Sequence, residues 1–239
     1  MLERAKEIID EVSKCTESIL LMHSLSGKDS IALLDLVYPK FKRVVCCFMY
    51  TVPNLRHLVP YYAYAKKRYP NIEFIQVPHY VVYSYIKAGF MGCKPNPKQR
   101  LWTLSDIVEK VKEQKGLEWA CLGFKQSDSL NRRLMLRSYK DGKEAISWKT
   151  KKFYPLSTYK NRDVLDYIRK NNLKAPESFD RTEQSCGTDI TDYDYLKYLS
   201  CKYPEDLEAI YKEYPATRVI IQQNEASRKT AIDNKEKQE

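Results

Sequence analysis

Residues 24–30, Ser-Leu-Ser-Gly-Lys-Asp-Ser, place hydroxyls, an ammonium group and a carboxylate in one short turn. Hydroxyl and ammonium groups donate to phosphate oxygens, and a carboxylate can hold a Mg²⁺ ion that bridges phosphates. The short apolar run over residues 19–25 predicts a buried strand, and apolar residues recur at helical spacing after Ser30. A turn from a strand into a helix presents unpaired N–H groups at the positive end of the helix dipole. The stretch therefore predicts an anion site, although an ordinary turn with Asp29 or Ser30 as the helix N-cap fits the same residues.

A second stretch that could bind anions begins at Gly123, directly after an apolar run. A glycine at a strand end lets the backbone approach a ligand, and guanidinium groups such as those of Arg132 and Arg133 grip phosphate oxygens bidentately. Lys125 and Asp128 lie between them. Taken alone, the stretch fits a solvated basic helix face equally well.

The elements that must position these residues follow an alternating pattern of helices and strands. Helical patterns cover residues 2–14, 55–68 and 102–115, and strand patterns cover residues 43–50, 72–77 and 117–123. Such spacing predicts right-handed strand-helix-strand units and therefore an α/β fold with a parallel, doubly wound, Rossmann-like sheet and a helical C-terminal segment. Ligands of such sheets lie at the carboxyl ends of the strands, where Tyr50 is found, and a strand that ends before Pro53 without any role at a ligand fits the same residues.

The composition predicts a globular protein with a basic surface. The 239 residues are 43% hydrophobic and carry a formal net charge of +10, which permits a nucleic-acid or protein partner as well as a merely solvated basic face. No apolar stretch is long enough to cross a membrane and no signal-peptide pattern begins the sequence, so we expect no membrane association and a cytoplasmic location. The oligomeric state is left open, a dimer included.

The seven cysteines are scattered and form no Cys-x-x-Cys pair, which argues against a disulfide framework and a zinc ribbon. Cys46 and Cys47 lie within a predicted strand and are expected to be buried thiols. Cys186 precedes Gly187 and could be a nucleophile if its surroundings were electropositive, but an incidental cysteine is the preferred interpretation.

Three segments resemble one known family. Residues 24–30 do not match the phosphate loop Gly-x₄-Gly-Lys-Ser/Thr but resemble, with one glycine fewer, the Ser-Gly-Gly-x-Asp-Ser pyrophosphate loop of the N-type ATP pyrophosphatases. Residues 123–132 resemble the family segment Gly-x-Arg-x-x-Glu-Ser-x-x-Arg, with Lys125 and Asp128 in the Arg and Glu positions. Residues 155–168 resemble its Pro-Leu-x-x-Trp, Asp-Val and Tyr-Ile segment. The closest branch contains phosphoadenylyl-sulfate (PAPS) reductases and the small subunit of ATP sulfurylase.

The resemblance implies an adenine nucleotide alpha-hydrolase-like (HUP) fold and a nucleotide site. It predicts ATP and Mg²⁺ as ligands and cleavage of the bond between the α- and β-phosphates, so that an acceptor is adenylylated. Lys28, Asp29 and Ser30 would be catalytic, with Asp29 on the metal. The other expected nucleotide-binding residues are Ser24, Ser26, Gly27, Tyr50, Gly123, Lys125, Asp128, Arg132 and Arg133.

The resemblance also implies a division of the chain and two alternative functions. Residues 1–175 would form the nucleotide-binding domain, residues 176–228 its helical extension and residues 229–239 a flexible tail. One alternative is a PAPS reductase, with PAPS in the same pocket and Cys186 as nucleophile. The other is a component of a tRNA or DNA sulfur-modification system or another nucleic-acid-binding system.

Overall fold

The structure is a computed structural model that describes residues 2–25, 27–174 and 189–226. Its internal contacts divide the chain into two units, each assembled from separated segments. The first unit comprises residues 1–49, 60–77 and 103–177, and the second comprises residues 50–59, 78–102 and 178–239. The domain boundary predicted at residue 175 falls outside the described residues and stays a prediction.

The first unit is built on a six-stranded sheet with the strand order β3-β2-β1-β4-β6-β5. Its β1 pairs in parallel with β2 and β4, β4 pairs in parallel with β6, and the short β5 runs antiparallel to its neighbour β6. The strands are β1 Ser18–Met22, β2 Arg43–Tyr50, β3 Ile72–Pro78, β4 Trp119–Cys121, β5 Ile146–Ser147 and β6 Lys152–Phe153. The α/β fold with a mostly parallel sheet is thus confirmed.

Helices flank this sheet and bury their apolar sides. The helices of the described chain are α1 Glu3–Ser13, α2 Lys28–Val37, α3 Val59–Arg68, α4 Tyr80–Ala88, α5 Leu104–Lys115, α6 Leu130–Arg137, α7 Asn161–Lys170, α8 Tyr193–Lys202 and α9 Pro204–Glu213, followed by a helical stretch over 218–226. Helix α2 packs against α1 and α7, and α5 packs on β1 and β4. Because β1 and β4 are covered in this way, residues 19–21 and 119–121 are buried, which accounts for continuous apolar runs in place of an alternating pattern.

The order of the strands reverses between β1 and β4. The chain moves from β1 outward to β2 and β3 and then returns to the other side of β1 to form β4. In doubly wound sheets, ligands bind at the carboxyl ends of the strands on either side of such a reversal. The turns after β1 and β4, which contain both stretches singled out in the sequence, therefore meet at the position that this fold offers to a ligand.

The second unit is helical and includes α4, α8 and α9. The buried carboxylate of Asp206 in α9 accepts hydrogen bonds from the backbone N–H groups of Arg56 and His57 and lies 2.8 Å from Nδ1 of His57. These contacts join segments almost 150 residues apart in sequence and fix the 50–59 segment to α9. The helical C-terminal segment predicted from the sequence is confirmed over the residues that the structure describes.

Element boundaries differ from the sequence-based prediction at the key turn. Strand β1 ends at Met22, three residues earlier than predicted, and the N–H of His23 makes one more hydrogen bond to β2, with the carbonyl of Cys47, before the chain turns. Helix α2 begins at Lys28 with Gly27 as its N-cap, so neither Asp29 nor Ser30 caps it. Cys46 and Cys47 are buried free thiols, as expected. No helix among the described residues has the length and apolarity to cross a bilayer.

Candidate functional site

The turn after β1 is held in shape by its own side chains. The hydroxyl oxygen of Ser30 accepts the backbone N–H of Ser24 at 2.9 Å and lies 3.0 Å from the hydroxyl of Ser24. Leu25 adopts a left-handed conformation with φ of 57° and is fully buried. A residue with a Cβ pays about 1–2 kcal/mol for this conformation, so neighbouring contacts must stabilise it.

His23 provides one of these contacts. Its Nδ1 accepts the backbone N–H of Leu25 at 2.9 Å, so the neutral ring must carry its proton on Nε2, which donates to the Tyr61 hydroxyl at 3.1 Å. Burial lowers the pKa of His23 to about 3, which keeps the ring neutral and its Nδ1 free to accept. His23 and Tyr61 thus fix the backbone that leads into the anion site.

The protonation of His23 should make the stability of the protein depend on pH. The folded pKa of about 3 lies below the ordinary value of 6.5, so unfolding takes up a proton between these pH values and stability falls as the pH falls. Between pH 8 and pH 5 we expect His23 to cost about 2 kcal/mol of unfolding free energy. Urea unfolding of the wild type and of His23→Asn, whose side chain can still accept from Leu25 but does not titrate, measures this difference. An equal loss in both proteins would contradict the role of His23.

The N-terminus of α2 has backbone N–H groups without acceptors in the helix. The first hydrogen bond of the helix runs from the N–H of Ile31 to the carbonyl of Gly27, so the N–H groups of Lys28, Asp29 and Ser30 have no acceptor within the helix. Gly27 is needed here for space, since a Cβ at this position would lie 2.2 Å from the Ser24 hydroxyl oxygen. The turn therefore presents backbone donors with the dipole of α2 behind them.

Charged side chains of alternating sign connect this turn with the one after β4. Asp29 lies 3.5 Å from Nζ of Lys28 and 2.6 Å from Nζ of Lys125, and Lys125 in turn lies 3.2 Å from Asp128. Asp128 completes the series with Arg132 at 2.7 Å. Three cations face two carboxylates, which leaves the group with one net positive charge. The side chain of Lys125 is only 2% exposed, so its charge acts in a medium where electrostatic interactions are strong.

Asp128 is held in its charged form. Burial raises the pKa of its carboxyl, but the backbone N–H and the ammonium group of Lys125, together with Arg132, outweigh burial, and the pKa lies below the ordinary value. The N–H of Lys125 donates to the Asp128 carboxylate at 2.9 Å. Asp128 thereby fixes both ends of Lys125, and its role is to position that residue.

Gly123 lets the two turns approach each other. A Cβ at residue 123 would lie 3.2 Å from Cβ of Asp29 and 3.5 Å from Cδ1 of Leu33. The first distance is shorter than ordinary van der Waals contact, so a side chain at this position would push α2 away from the end of β4. In the structure, the backbone at Gly123 therefore lies close to Asp29 and Leu33 of α2. This contact between the two turns brings Lys125 within reach of Asp29.

One carboxylate oxygen of Asp29 is suited to a metal ion. Oδ2 is occupied by Lys125, whereas Oδ1 is buried and has no hydrogen-bond partner among the described residues. A buried carboxylate oxygen without a donor is costly and is typical of a position that a ligand completes. Mg²⁺ binds through one or two protein carboxylates together with substrate phosphates, so Asp29 fits the predicted metal. The described residues contain no group of three or more His, Cys, Asp or Glu side chains that could hold a metal without a substrate.

The remaining predicted site residues are placed differently. Arg132 lies over the ring of Phe124 at 4.0 Å and binds Asp128, and Arg133 is exposed and donates to the carbonyl of Gln126. These contacts turn both side chains toward their own segment, so their role at a nucleotide stays a prediction. Tyr50 belongs to the second unit, where its carbonyl accepts the N–H of His79. Ser26 and Cys186 lie outside the described residues.

The sequence-based prediction missed His23 and Tyr61. His23 was read as part of an apolar strand, although a histidine at the end of such a run, directly before a turn, was an available signal. Tyr61 lies 38 residues further along, and nothing in its local pattern indicates that it contacts the turn.

Comparisons with known proteins were made with the sequence and with the structure. The family model described as phosphoadenosine phosphosulfate reductase domain matches residues 20–191. Comparison with curated protein sequences finds no match. The structural matches are distant, and at their TM-scores the likenesses do not bear on function.

Three solved structures illustrate these distant matches. The U34-tRNA thiolase NcsA from Methanococcus maripaludis with its [4Fe-4S] cluster has a TM-score of 0.48 and 14% identity, and the match covers 94% of this chain and 77% of that protein's chain. The PAPS reductase from Candida auris in its phosphate complex has a TM-score of 0.46 and 14% identity, and the match covers 72% of this chain and 82% of that protein's chain. The NH₃-dependent NAD synthetase from Campylobacter jejuni in complex with nitrate has a TM-score of 0.47 and 12% identity, and the match covers 93% of this chain and 92% of that protein's chain.

Proposed function

Because this chain belongs to the phosphoadenosine phosphosulfate reductase domain family, we propose that it binds an adenine nucleotide at the turn after β1 and that this nucleotide is ATP. The enzyme then cleaves the bond between the α- and β-phosphates. An acceptor oxygen attacks the α-phosphorus, the bond to the bridging oxygen breaks, and pyrophosphate leaves while the acceptor proton passes to solvent. The acceptor carries AMP at the end of the step.

The observation that carries this proposal is the convergence of two ammonium groups on Asp29 at the N-terminus of α2. Nζ of Lys125 and Nζ of Lys28 lie 2.6 and 3.5 Å from the same carboxylate oxygen. Phosphate oxygens placed beside them would meet two cations and the free N–H groups of the helix, which stabilise charge on departing pyrophosphate. ATP satisfies these donors better than a neutral ligand does.

The carboxylate of Asp29 supports the choice of a metal-bound nucleotide. Its unpartnered Oδ1 would hold Mg²⁺, while Oδ2 keeps Lys125 in place. A bound Mg²⁺ ion neutralises phosphate charge and orients the leaving group. Ser24 and Ser30, whose hydroxyls lie 3.0 Å apart, keep the turn in the shape that the phosphates require and can donate to them.

Pyrophosphate release tests the proposal. We expect the wild type to release pyrophosphate slowly from Mg-ATP, with water attacking in place of the acceptor, and Asp29→Ala to lose this activity, since the metal ligand is removed. Asp29→Asn should lose it as well while retaining an oxygen for Lys125, and its unfolding midpoint shows whether the fold is intact. Asp10→Ala, which removes an exposed carboxylate on α1, is the matched control and should remain active. An unchanged rate in both Asp29 variants would refute the assigned role.

The second candidate function is PAPS reduction, which the description of the matching family favours. The thiolate of Cys186 would attack the sulfur of PAPS, and adenosine 3′,5′-bisphosphate would leave. One thiolate of a dithiol reductant would then attack Sγ of Cys186 and displace sulfite, and its second thiol would break the mixed disulfide and free the Cys186 thiolate. Cys186 lies outside the described residues, so no geometry bears on this step. Sulfite release that disappears in Cys186→Ser would establish this function in place of ATP cleavage.

A further inference from the structure

A long acid-free segment crosses the second unit. Between Glu73 and Asp106 the sequence contains no Asp or Glu, whereas it contains Lys87, Lys94, Lys98 and Arg100. None of these four cations forms an ion pair with any residue that the structure describes. Cations next to this segment are paired, for example Lys110 with Glu113 and Lys115 with Glu73. A positive patch without internal counter-ions attracts an external anion.

Aromatic rings lie among these cations. Tyr80 and Tyr83 are three residues apart on α4 and so share one side of the helix, which Lys87 continues. The ring of Trp102 lies 5.9 Å from that of Tyr83, and the guanidinium carbon of Arg100 lies 4.7 Å above the Trp102 ring. Tyr80 is 40% exposed. We call the surface made by these five residues the aromatic-basic face.

The loop that carries the other lysines is fixed to the same helix. The backbone N–H of Asn96 donates to the carbonyl of Ile86 at 2.7 Å, which places Lys94 and Lys98 on a loop tied to the end of α4. Among the described residues, burial and then Asp189 raise the pKa of Tyr85, and burial and then Glu213 raise the pKa of Cys93. Tyr85 is two residues from Tyr83 and faces the opposite side of α4. Asp189 therefore acts on the side of α4 away from the aromatic-basic face.

We propose that the aromatic-basic face binds single-stranded nucleic acid. Unpaired cations along a loop bind the phosphates of a flexible strand. The exposed ring of Tyr80 and the partly exposed rings of Tyr83 and Trp102 stack on its bases, because every base has a π-face. The rings favour a single strand over a duplex, whose bases are already stacked within the helix. They also favour it over an acidic protein, which would use the cations but would gain little from aromatic rings. The inference is independent of the chemistry proposed for the first unit.

The test measures binding of a labelled oligonucleotide of about 20 residues by fluorescence anisotropy over a salt series. Lys98→Ala/Arg100→Ala should weaken binding and make the salt slope shallower by about 1.4, the value for two phosphate contacts on a single strand. Trp102→Ala should weaken binding about 5- to 150-fold and leave the salt slope unchanged, because it removes stacking and no charge. Tyr80→Ala gives a second stacking variant at an exposed position, in case Trp102→Ala unfolds.

The matched control is Lys66→Ala/Lys67→Ala on α3. These two lysines are exposed, belong to the first unit and have no ion pair among the described residues, so the change in net charge is the same. We expect the control to bind like the wild type and the wild type to prefer a single strand to a duplex of equal length. The proposal would be overturned if the two double variants lost affinity equally, or if neither Trp102→Ala nor Tyr80→Ala changed the affinity. It would also be overturned if the protein bound the duplex or polyglutamate more tightly than the single strand, or bound none of them.

Discussion

Lys125→Met is expected to lower the free energy of unfolding by about 3 kcal/mol. Methionine keeps the apolar stem of the side chain but removes the ammonium group that lies 2.6 Å from Asp29 and 3.2 Å from Asp128. Two partly buried carboxylates then face each other without that cation. We place the loss at the lower end of the range for broken buried pairs because the side chains of Asp29 and Asp128 remain 23% and 18% exposed. Urea denaturation measures this loss of unfolding free energy, and we expect the m-value to be unchanged.

Two further variants separate this effect from a general loss of a lysine. Lys110→Met removes an exposed ammonium group paired with Glu113 and should cost less than about 1 kcal/mol. The double variant Asp29→Asn/Lys125→Met should lose less stability than the sum of the losses of the single variants. The reason is that the paired negative and positive charges are removed together, so neither is left without its partner. Strict additivity, or a Lys125→Met protein as stable as Lys110→Met, would show that the ion pair does not join the two turns.

Gly27→Ala is expected to disrupt the turn and to weaken anion binding about tenfold or more, with a stability loss of about 1–3 kcal/mol. The added Cβ would lie 2.2 Å from the hydroxyl oxygen of Ser24, so the hydrogen bond between Ser24 and Ser30 has to break. Backbone strain plays no part, because Gly27 has φ of −82°, which alanine adopts freely. Titration with pyrophosphate and urea denaturation measure the two effects.

The rescue variant for Gly27→Ala is Ser24→Ala. Without the hydroxyl, the nearest atom of residue 24 to the new Cβ is its own Cβ at 3.5 Å, an ordinary contact. The double variant should therefore behave like Ser24→Ala alone. If Gly27→Ala binds pyrophosphate as well as the wild type does, or if Ser24→Ala fails to relieve it, the turn does not have the packed shape described here.

The strand, turn and helix around residues 24–30 could be predicted because their cause is local. An apolar run, a glycine and helical periodicity lie within about twenty residues, and the repeat of such units implies a parallel sheet. Gly123 was expected to let the backbone approach a ligand, and the sequence did not show that its close neighbour within the chain would be Asp29. Family membership followed from the order of three short segments along the chain.

Other features of the site depend on contacts between distant segments. The ion pair between Asp29 and Lys125 joins residues 96 positions apart and exists only because β4 returns to the side of β1. The left-handed Leu25 is stabilised by His23, whose tautomer is set by Tyr61. Arg132 was expected at a ligand, but its rotamer directs it to Asp128 and Phe124, and no local pattern determines a rotamer.

The most direct test of the central claim is thermal unfolding of the purified protein with Mg-ATP, with PAPS and with neither. A ligand that binds only the native state raises the midpoint by mass action, by about 2.7 kcal/mol of stability at a concentration one hundred times its Kd. We predict that Mg-ATP raises the midpoint of the wild type and that Lys28→Ala, which removes one of the two ammonium groups at the turn, reduces the shift. A shift with PAPS alone, or no shift with either nucleotide, would contradict the assignment of ATP to this site.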